Sequence, residues 1–516
     1  MAISEVVTVV RTIARLLVLA LAAAACQPGP SAAPSAVATP STPGATPAAS
    51  GVPQASPDAG AGTLAEELRD AISVEDILAD LSQLNEIAAA NGGTRVAGSA
   101  GYDASAAFVA DELRAAGYDV VLVPAEIPTF RVDAPTILEI LAPGAPALQD
   151  TRDVKPLLLS PPGDVTARVF ALGFDPTAAP GSRLGLGCDP ADWADVPAGA
   201  IVLVNAGPCP RRTAMVNAQD AGAAAIITAY PEWVADQVRR PTLVDPTGLE
   251  IPALGATHEA GVALFAAATA GAPVHLEVST TVAIESTMNV IAETPGGDPA
   301  HVVMLGGHLD SVVDGPGIND NGTGTMTVLE IARELARIRP DGAPWKVRVA
   351  FWTGEETGLL GSADYIRTLD RPTIDAIAAY LNFDMLGSAN GVRFVYDAAN
   401  TTRPAASGLV QELFQQALDA DGFAWDLVDV GAASDHFPFD QNGVPVGGLF
   451  SGANEILTPD QAARFGRAAG VPADACYHLL CDTTENVDAA ILGELARAAA
   501  WVTGRLADGA VVLPAG

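Results

Sequence analysis

The chain has 516 residues, room for two or three domains and a large core. Asp and Glu outnumber Lys and Arg by 61 to 27, which argues against nucleic acid and anionic lipid as main electrostatic partners. Aromatic residues are scarce and Ala, Gly and Pro abundant, so composition alone names no function.

The first residues have the form of an export signal: Arg11 and Arg15, the apolar run LLVLALAAAA, then Cys26. The run is short for a membrane span. Small residues closing on a Cys resemble the lipobox of bacterial lipoproteins, with Ala23 where Leu is usual and Leu21 two places earlier. Residues 1–26 are therefore expected to be a lipoprotein-type signal peptide, and a lipid on Cys26 the sole membrane attachment; the alternative is an ordinary signal peptide cut after its Ala-rich site. Four cysteines remain, an even number in an exported chain, and local spacing favours Cys188–Cys209 and Cys476–Cys481. A cysteine zinc site is the alternative, but no C-x-x-C pair is present.

Residues 27–62 are Pro, Ala, Ser and Thr with almost no large apolar side chains, the composition of a disordered tether. Order is expected from Thr63, where TLAE forms a capping box, and SVED at Ser73 opens a second helix. Ile77, Leu78, Leu81, Leu84 and Ile87 recur at helical spacing until Asn91-Gly92-Gly93. A third helix is expected over 102–116, closed by Gly117, and YDVVLVPAEI follows as a strand.

Residues 130–285 differ in texture. ARVFALG and GAIVLVNAG are strand-like, and one Ala-rich helix is expected around AMVNAQDAGAAAIITAY. No paired acids or histidines have ligand spacing there, and His258 and His275 stand alone. The segment is expected to be an inserted domain that controls access and supplies no catalytic group. From Ser286 to about residue 510, strands alternate with helices, which implies a three-layer α/β/α core with a mixed, mainly parallel sheet. Residues 63–129 would complete it.

Reactive groups in such sheets gather where strands end. His308 and Asp310 follow VVMLGG, Asp320 lies in GINDNGTG, Glu355 and Glu356 follow RVAFWTG, Asp384 follows YLNF, and His478 lies in CYHLLCD. Histidines and carboxylates without thiolate form the ligand set of a hydrolytic zinc or similar divalent-metal site. Two histidines and three carboxylates suffice for two metals if one carboxylate bridges. The adjacent glutamates then divide the work, one binding metal and the other taking a proton from water.

GGHLDS, NDNGTG, TGEETGLLGS, NFDMLG, SDHFPF and CYHLLCD, in this order, resemble the secreted di-zinc aminopeptidases of the leucyl aminopeptidase type, over about residues 286–506. GTRVAGSAGYDASAAFVADELRAAGYDV resembles the N-terminal part of the same domain. GAIVLVNAGPCP with NAQDAGAAAIITAY resembles a β-rich protease-associated domain, in which Cys188 and Cys209 occupy places like that domain's disulfide. The resemblance implies that His308 and Asp384 hold one Zn2+, Glu356 and His478 a second, and Asp320 both. It implies a metal-bridging hydroxide, Glu355 as general base, Asp310 as the carboxylate orienting His308, and Tyr477 as donor to the oxyanion. His436 of SDHFPF is assigned no chemistry. Some relatives carry Arg immediately before Ser-Asp-His, where this chain has Ala433.

The expected activity is that of an exported metalloaminopeptidase acting on peptides with a free N-terminus, the α-ammonium being favoured by Glu355 and Asp384. A carboxypeptidase or dipeptidase of the same superfamily would want clustered Arg for a C-terminal carboxylate. The rim segments 306–324, 353–361, 384–391, 431–439 and 476–486 contain no Arg or Lys. A single-zinc glutaminyl cyclase is disfavoured by five ligand candidates, and a non-catalytic binding lipoprotein by the presence of every ligand and the base.

Overall fold

A computed structural model of the chain describes residues 62–177, 186–207, 209–230 and 240–514. The signal segment, Cys26 and the tether to residue 61 lie outside the described residues. Among those described, no helix is long and apolar enough to cross a membrane.

Local signals set the first helices. Thr63 and Glu66 form a reciprocal capping box on helix Leu64–Ala71, and Ser73 accepts from the Asp76 N–H at the start of Val74–Ala90. The third helix, Ala100–Ala115, starts two residues earlier than the spacing suggests because Ser99 caps it.

Among the described residues, thirteen strands form one continuous hydrogen-bonded array. In chain order they are β1 (Asp119–Ile140), β2 (Val154–Pro156), β3 (Gly163–Ala171), β4 (Ile201–Asn205), β5 (Ala225–Tyr230), β6 (Ala253–Thr257), β7 (Pro273–Glu293), β8 (Asp298–His308), β9 (Trp345–Trp352), β10 (Ile377–Phe383), β11 (Phe394–Tyr396), β12 (Asp426–Val428) and β13 (Val446–Phe450). The order is β12-β11-β13-β10-β8-β9-β7-β3-β4-β5-β6-β2, with β1 on β7. β9, β8, β10 and β13 are mutually parallel. Side chains alternate across them: Val303, Leu305, Val349, Leu381 and Phe383 enter one core under the helices Val74–Ala90, Gly324–Ile338 and Ala489–Ala507. Met304, Ala350, Trp352 and Tyr380 enter another on the opposite face. This is the expected three-layer arrangement.

β1 and β7 run through positions 130 and 285, and pair antiparallel along most of their length. β9 pairs with one end of β7 and β3 with the other. The insert is thus joined to the core through a continuous two-stranded ribbon. The Ala-rich helix covers only Arg211–Asp220; AIITAY forms β5, because its β-branched residues are buried in a parallel sheet. A second helix, His258–Ala270, capped by Thr257, packs on the same sheet.

Candidate metal centre

β8 ends at His308 and pairs with both β9, ending at Trp352, and β10, ending at Phe383. The residues that follow these three strands therefore meet at one edge. After β9, Gly354 (φ 68°) turns the chain into a short helix opening at Glu355, so the adjacent glutamates lie on one turn instead of opposite strand faces.

A buried cation shapes the loop after β8. The fully buried Arg95 donates from Nε to the Pro316 carbonyl (2.9 Å), from Nη2 to Gly317 (2.5 Å) and from Nη1 to Leu309. Its planar fork thereby fixes both ends of the 309–317 loop. Gly317 (φ 66°) then turns toward Asp320, where an added Cβ would come 2.4 Å from the Asp320 carbonyl. The Asp320–Asn321 peptide is cis. Asn321 fastens the end of β10 to this turn: Nδ2 donates to Phe383 O (2.9 Å), and Oδ1 accepts from Met385 N (3.1 Å). Asp482 accepts the N–H groups of Asn319 (2.8 Å) and Asp320 (3.0 Å), tying the His478 loop to the same turn. Both disulfides form in the favoured pairing, and Cys476–Cys481 encloses Tyr477 and His478. His478 has φ 60°, and the Tyr477 ring stacks on it at 3.8 Å.

These devices converge on a compact set of atoms. His308 Nε2 lies 3.2 Å from Asp320 Oδ1 and 3.4 Å from Asp384 Oδ1. His478 Nε2 lies 3.1 Å from both Asp320 Oδ2 and Glu356 Oε2. The spacing suits ligands around a tetrahedral zinc, where bonds of about 2.0–2.1 Å leave ligand atoms roughly 3.3 Å apart. Glu355 joins His308 and Glu356 in a third group. Ser434 Oγ donates to Asp384 Oδ2 (2.7 Å) and leaves Oδ1 toward His308.

Asp310 lies beside His308, its carboxylate and its backbone carbonyl both on the Nδ1 side of the ring. His308 Nδ1 is 3.1 Å from the Asp310 backbone carbonyl and 3.7 Å from its Oδ1. A carbonyl only accepts, so Nδ1 carries the proton and Nε2 is the free ligand atom. Asp310 Oδ1 accepts the Glu355 N–H at 3.3 Å. His436 is buried edge-on to Tyr396, and burial lowers its pKa to about 4. It contributes packing.

The electrostatics call for positive charge. Burial pushes Glu355 well up and Glu356 to about 7. Burial works against protonated His478, yet Glu356 and Asp320 raise it to about 10; His308 is likewise raised, by Asp384 and Glu355 against burial. Glu356 Oε1 is buried without a hydrogen-bond partner, and Asp320 Oδ2 and Asp384 Oδ1 face only the histidine nitrogens. Divalent cations supply the missing partner and the missing charge together, so these residues fit zinc.

A cavity of about 540 Å³ is lined by Glu355, Glu356, Tyr477 and His478 of the core together with residues of the insert, including Asn205, Arg211 and Val244. The insert therefore forms part of the same cavity. Sequence reasoning assigned no roles to Arg95, Asn321, Ser434 and Asp482. All four lie inside quoted motifs, Arg95 in GTRVAGSAG, Asn321 in NDNGTG, Ser434 in SDHFPF and Asp482 in CYHLLCD, so the motifs marked them without revealing their contacts.

The profile of Peptidase family M28 matches residues 289–503, and that of the PA domain residues 176–264. An aminopeptidase of Pseudomonas aeruginosa is 35% identical over 438 residues, 84% of this chain and 80% of that protein. A probable lipoprotein aminopeptidase, LpqL, of Mycobacterium tuberculosis is 34% identical over 458 residues, 87% of this chain and 88% of that one. The crystal structure of BSAP, a zinc aminopeptidase from Bacillus subtilis, aligns with a TM-score of 0.62 and 25% identity, covering 83% of this chain and 94% of that chain.

Proposed function

Because the chain belongs to peptidase family M28 and carries a PA domain, we propose that it is an exported zinc aminopeptidase removing N-terminal residues from peptides. The observation that carries this reading is Asp320, whose two oxygens face different histidines while Glu355 stands beside His308. His308, Asp320 and Asp384 would hold one zinc, and Asp320, Glu356 and His478 the other. Bound zinc supplies Lewis acidity toward the peptide carbonyl and makes water nucleophilic near neutral pH.

The side chains do the rest. Glu355 takes the proton of the attacking water and delivers it to the leaving amine. Tyr477, lining the cavity beside His478, donates to the oxygen that becomes negative. Asp310 holds the backbone of Glu355 through its carboxylate and the His308 ring through its carbonyl, so base and ligand keep one spacing. Glu355 and Asp384 favour a cationic α-ammonium, which selects free N-termini. Two disulfides and the lipoprotein relative support export, with a lipid on Cys26 as anchor.

The test is product analysis by mass spectrometry on one peptide with a free and with an acetylated N-terminus. Stepwise loss of N-terminal residues from the free peptide alone is expected. Release of C-terminal residues, or equal cleavage of the acetylated peptide, would overturn the reading.

A further inference from the structure

The insert touches the turn that carries the paired glutamates. Gly358 stands three positions after Glu355 in the same short helix, and the Leu359 N–H bonds to the Glu355 carbonyl (2.9 Å). Residues three and four apart share a helix face, so Gly358 and Leu359 adjoin the side of the turn that presents Glu355. Val244 of the insert lies over Gly358 so closely that an added Cβ there would come 2.9 Å from Val244 Cγ1. Thr242 Oγ1 donates to the Thr357 carbonyl of the same turn (3.2 Å) and accepts the Val244 N–H (2.8 Å).

The contact is firmly held. Leu243 is fully buried, and its N–H bonds to the Leu158 carbonyl (3.1 Å). Val244 has φ 68°, a left-handed conformation that a β-branched residue rarely adopts, and Leu359 has φ 61°. Such outliers persist where the surroundings over-determine them, and they cluster at ligand-binding sites. Val244 still keeps 47% of its surface exposed, and it lines the cavity with Val313 and Leu359. The wall beside the glutamates is therefore aliphatic and built from both insert and core.

The chemistry decides which part of a peptide meets that wall. On the aminopeptidase reading, Glu355 returns its proton to the leaving amine, so the nitrogen of the second residue comes within hydrogen-bond reach of Glu355. The Cβ of that residue is about 2.5 Å from its nitrogen, which starts its side chain beside the Glu355–Leu359 turn. The N-terminal residue lies across the scissile bond, toward Asp384.

We propose that Val244 is a specificity-determining residue, forming with Leu359 the apolar subsite for the side chain of the substrate's second residue. This rests on the aminopeptidase reading. The subsite takes aliphatic side chains and disfavours charged ones, because a charge placed there loses water without gaining a partner. Stepwise trimming therefore slows where a charged residue stands second.

The test uses the zinc-loaded full chain and tripeptides Leu-Xaa-Ala, with Gly, Leu or Lys as Xaa. Leucinamide, whose leaving group is ammonia, is the reference without a second residue. The measured quantity is the ratio of kcat/KM between tripeptides within each protein. The wild type is expected to favour Leu over Gly and over Lys about tenfold, the scale of discrimination by an apolar pocket. Val244→Ala should lower the Leu-to-Gly ratio. Val244→Asp, whose side chain tolerates a left-handed backbone, should reverse the Leu-to-Lys ratio in favour of Lys. A gain for Lys does not come from a loosened structure. Equal wild-type values for the three tripeptides, or an unchanged ratio in either variant, would overturn the subsite. No ammonia released from leucinamide by the wild type, or loss of the C-terminal Ala from the tripeptides, would instead remove the aminopeptidase reading beneath it.

Discussion

Arg240 of the insert and Asp314 of the loop after His308 form a largely buried ion pair, Nε to Oδ2 3.0 Å, with side chains 7% and 17% exposed. The insert is thereby bonded to the segment between Asp310 and Asp320. Lys155 Nζ adds a second cation 3.3 Å from Asp314 Oδ1. Removing the carboxylate leaves both cations facing each other out of water. Asp314→Ala should therefore destabilise the protein by about 3–5 kcal/mol, and Lys155→Met, which spares the Arg240 pair, by clearly less. Urea unfolding measures both, and equal costs would contradict the pairing.

Acid should act on the same contact. Burial alone would raise the Asp314 carboxyl, but Arg240 and then Lys155 outweigh it and hold it below the usual carboxylate range. Lys155 is itself lowered, burial exceeding the pull of Asp314, so Arg240 is the stronger partner. With the folded pKa below the unfolded one, this carboxylate's contribution is present above the unfolded pKa, about 3.9. It is lost as pH falls through the lower folded value. The acid limb of a stability–pH curve should be shallower in Asp314→Asn, and an unchanged limb would refute the linkage.

Glu355→Gln keeps the shape of the proposed base and removes its ability to accept a proton. A fall in kcat of about 10²–10⁴ is expected, with zinc content by metal analysis near that of the wild type. Near-normal turnover would show that another group takes the proton.

Asp320 and its flanking histidines separate by metal content. Asp320→Ala should lose affinity at both positions, because its oxygens face both histidines, whereas His308→Ala or His478→Ala should weaken one. Full zinc occupancy in Asp320→Ala would rule out the shared ligand.

Much of the centre was legible because its side chains stand just past strongly apolar strands. His308 closes β8, Glu355, Glu356 and Asp384 follow β9 and β10 within four residues, and strand ends can be read from alternation. The supporting contacts were not legible, since Arg95 reaches Gly317 across 222 positions and Asp482 reaches Asp320 across 162. Pairings of that separation are decided by the packed fold and leave no local period. AIITAY was misjudged for a local reason: the Ala-rich stretch before it suits a helix, while its β-branched residues suit the strand it forms.

The most direct measurement is a zinc titration of chelator-stripped protein, followed by hydrolysis of an aminoacyl p-nitroanilide. Activity should vanish on stripping and return with zinc, saturating near two equivalents per chain. Hydrolysis that survives stripping, or zinc-loaded protein that never turns over the substrate, would contradict a zinc aminopeptidase.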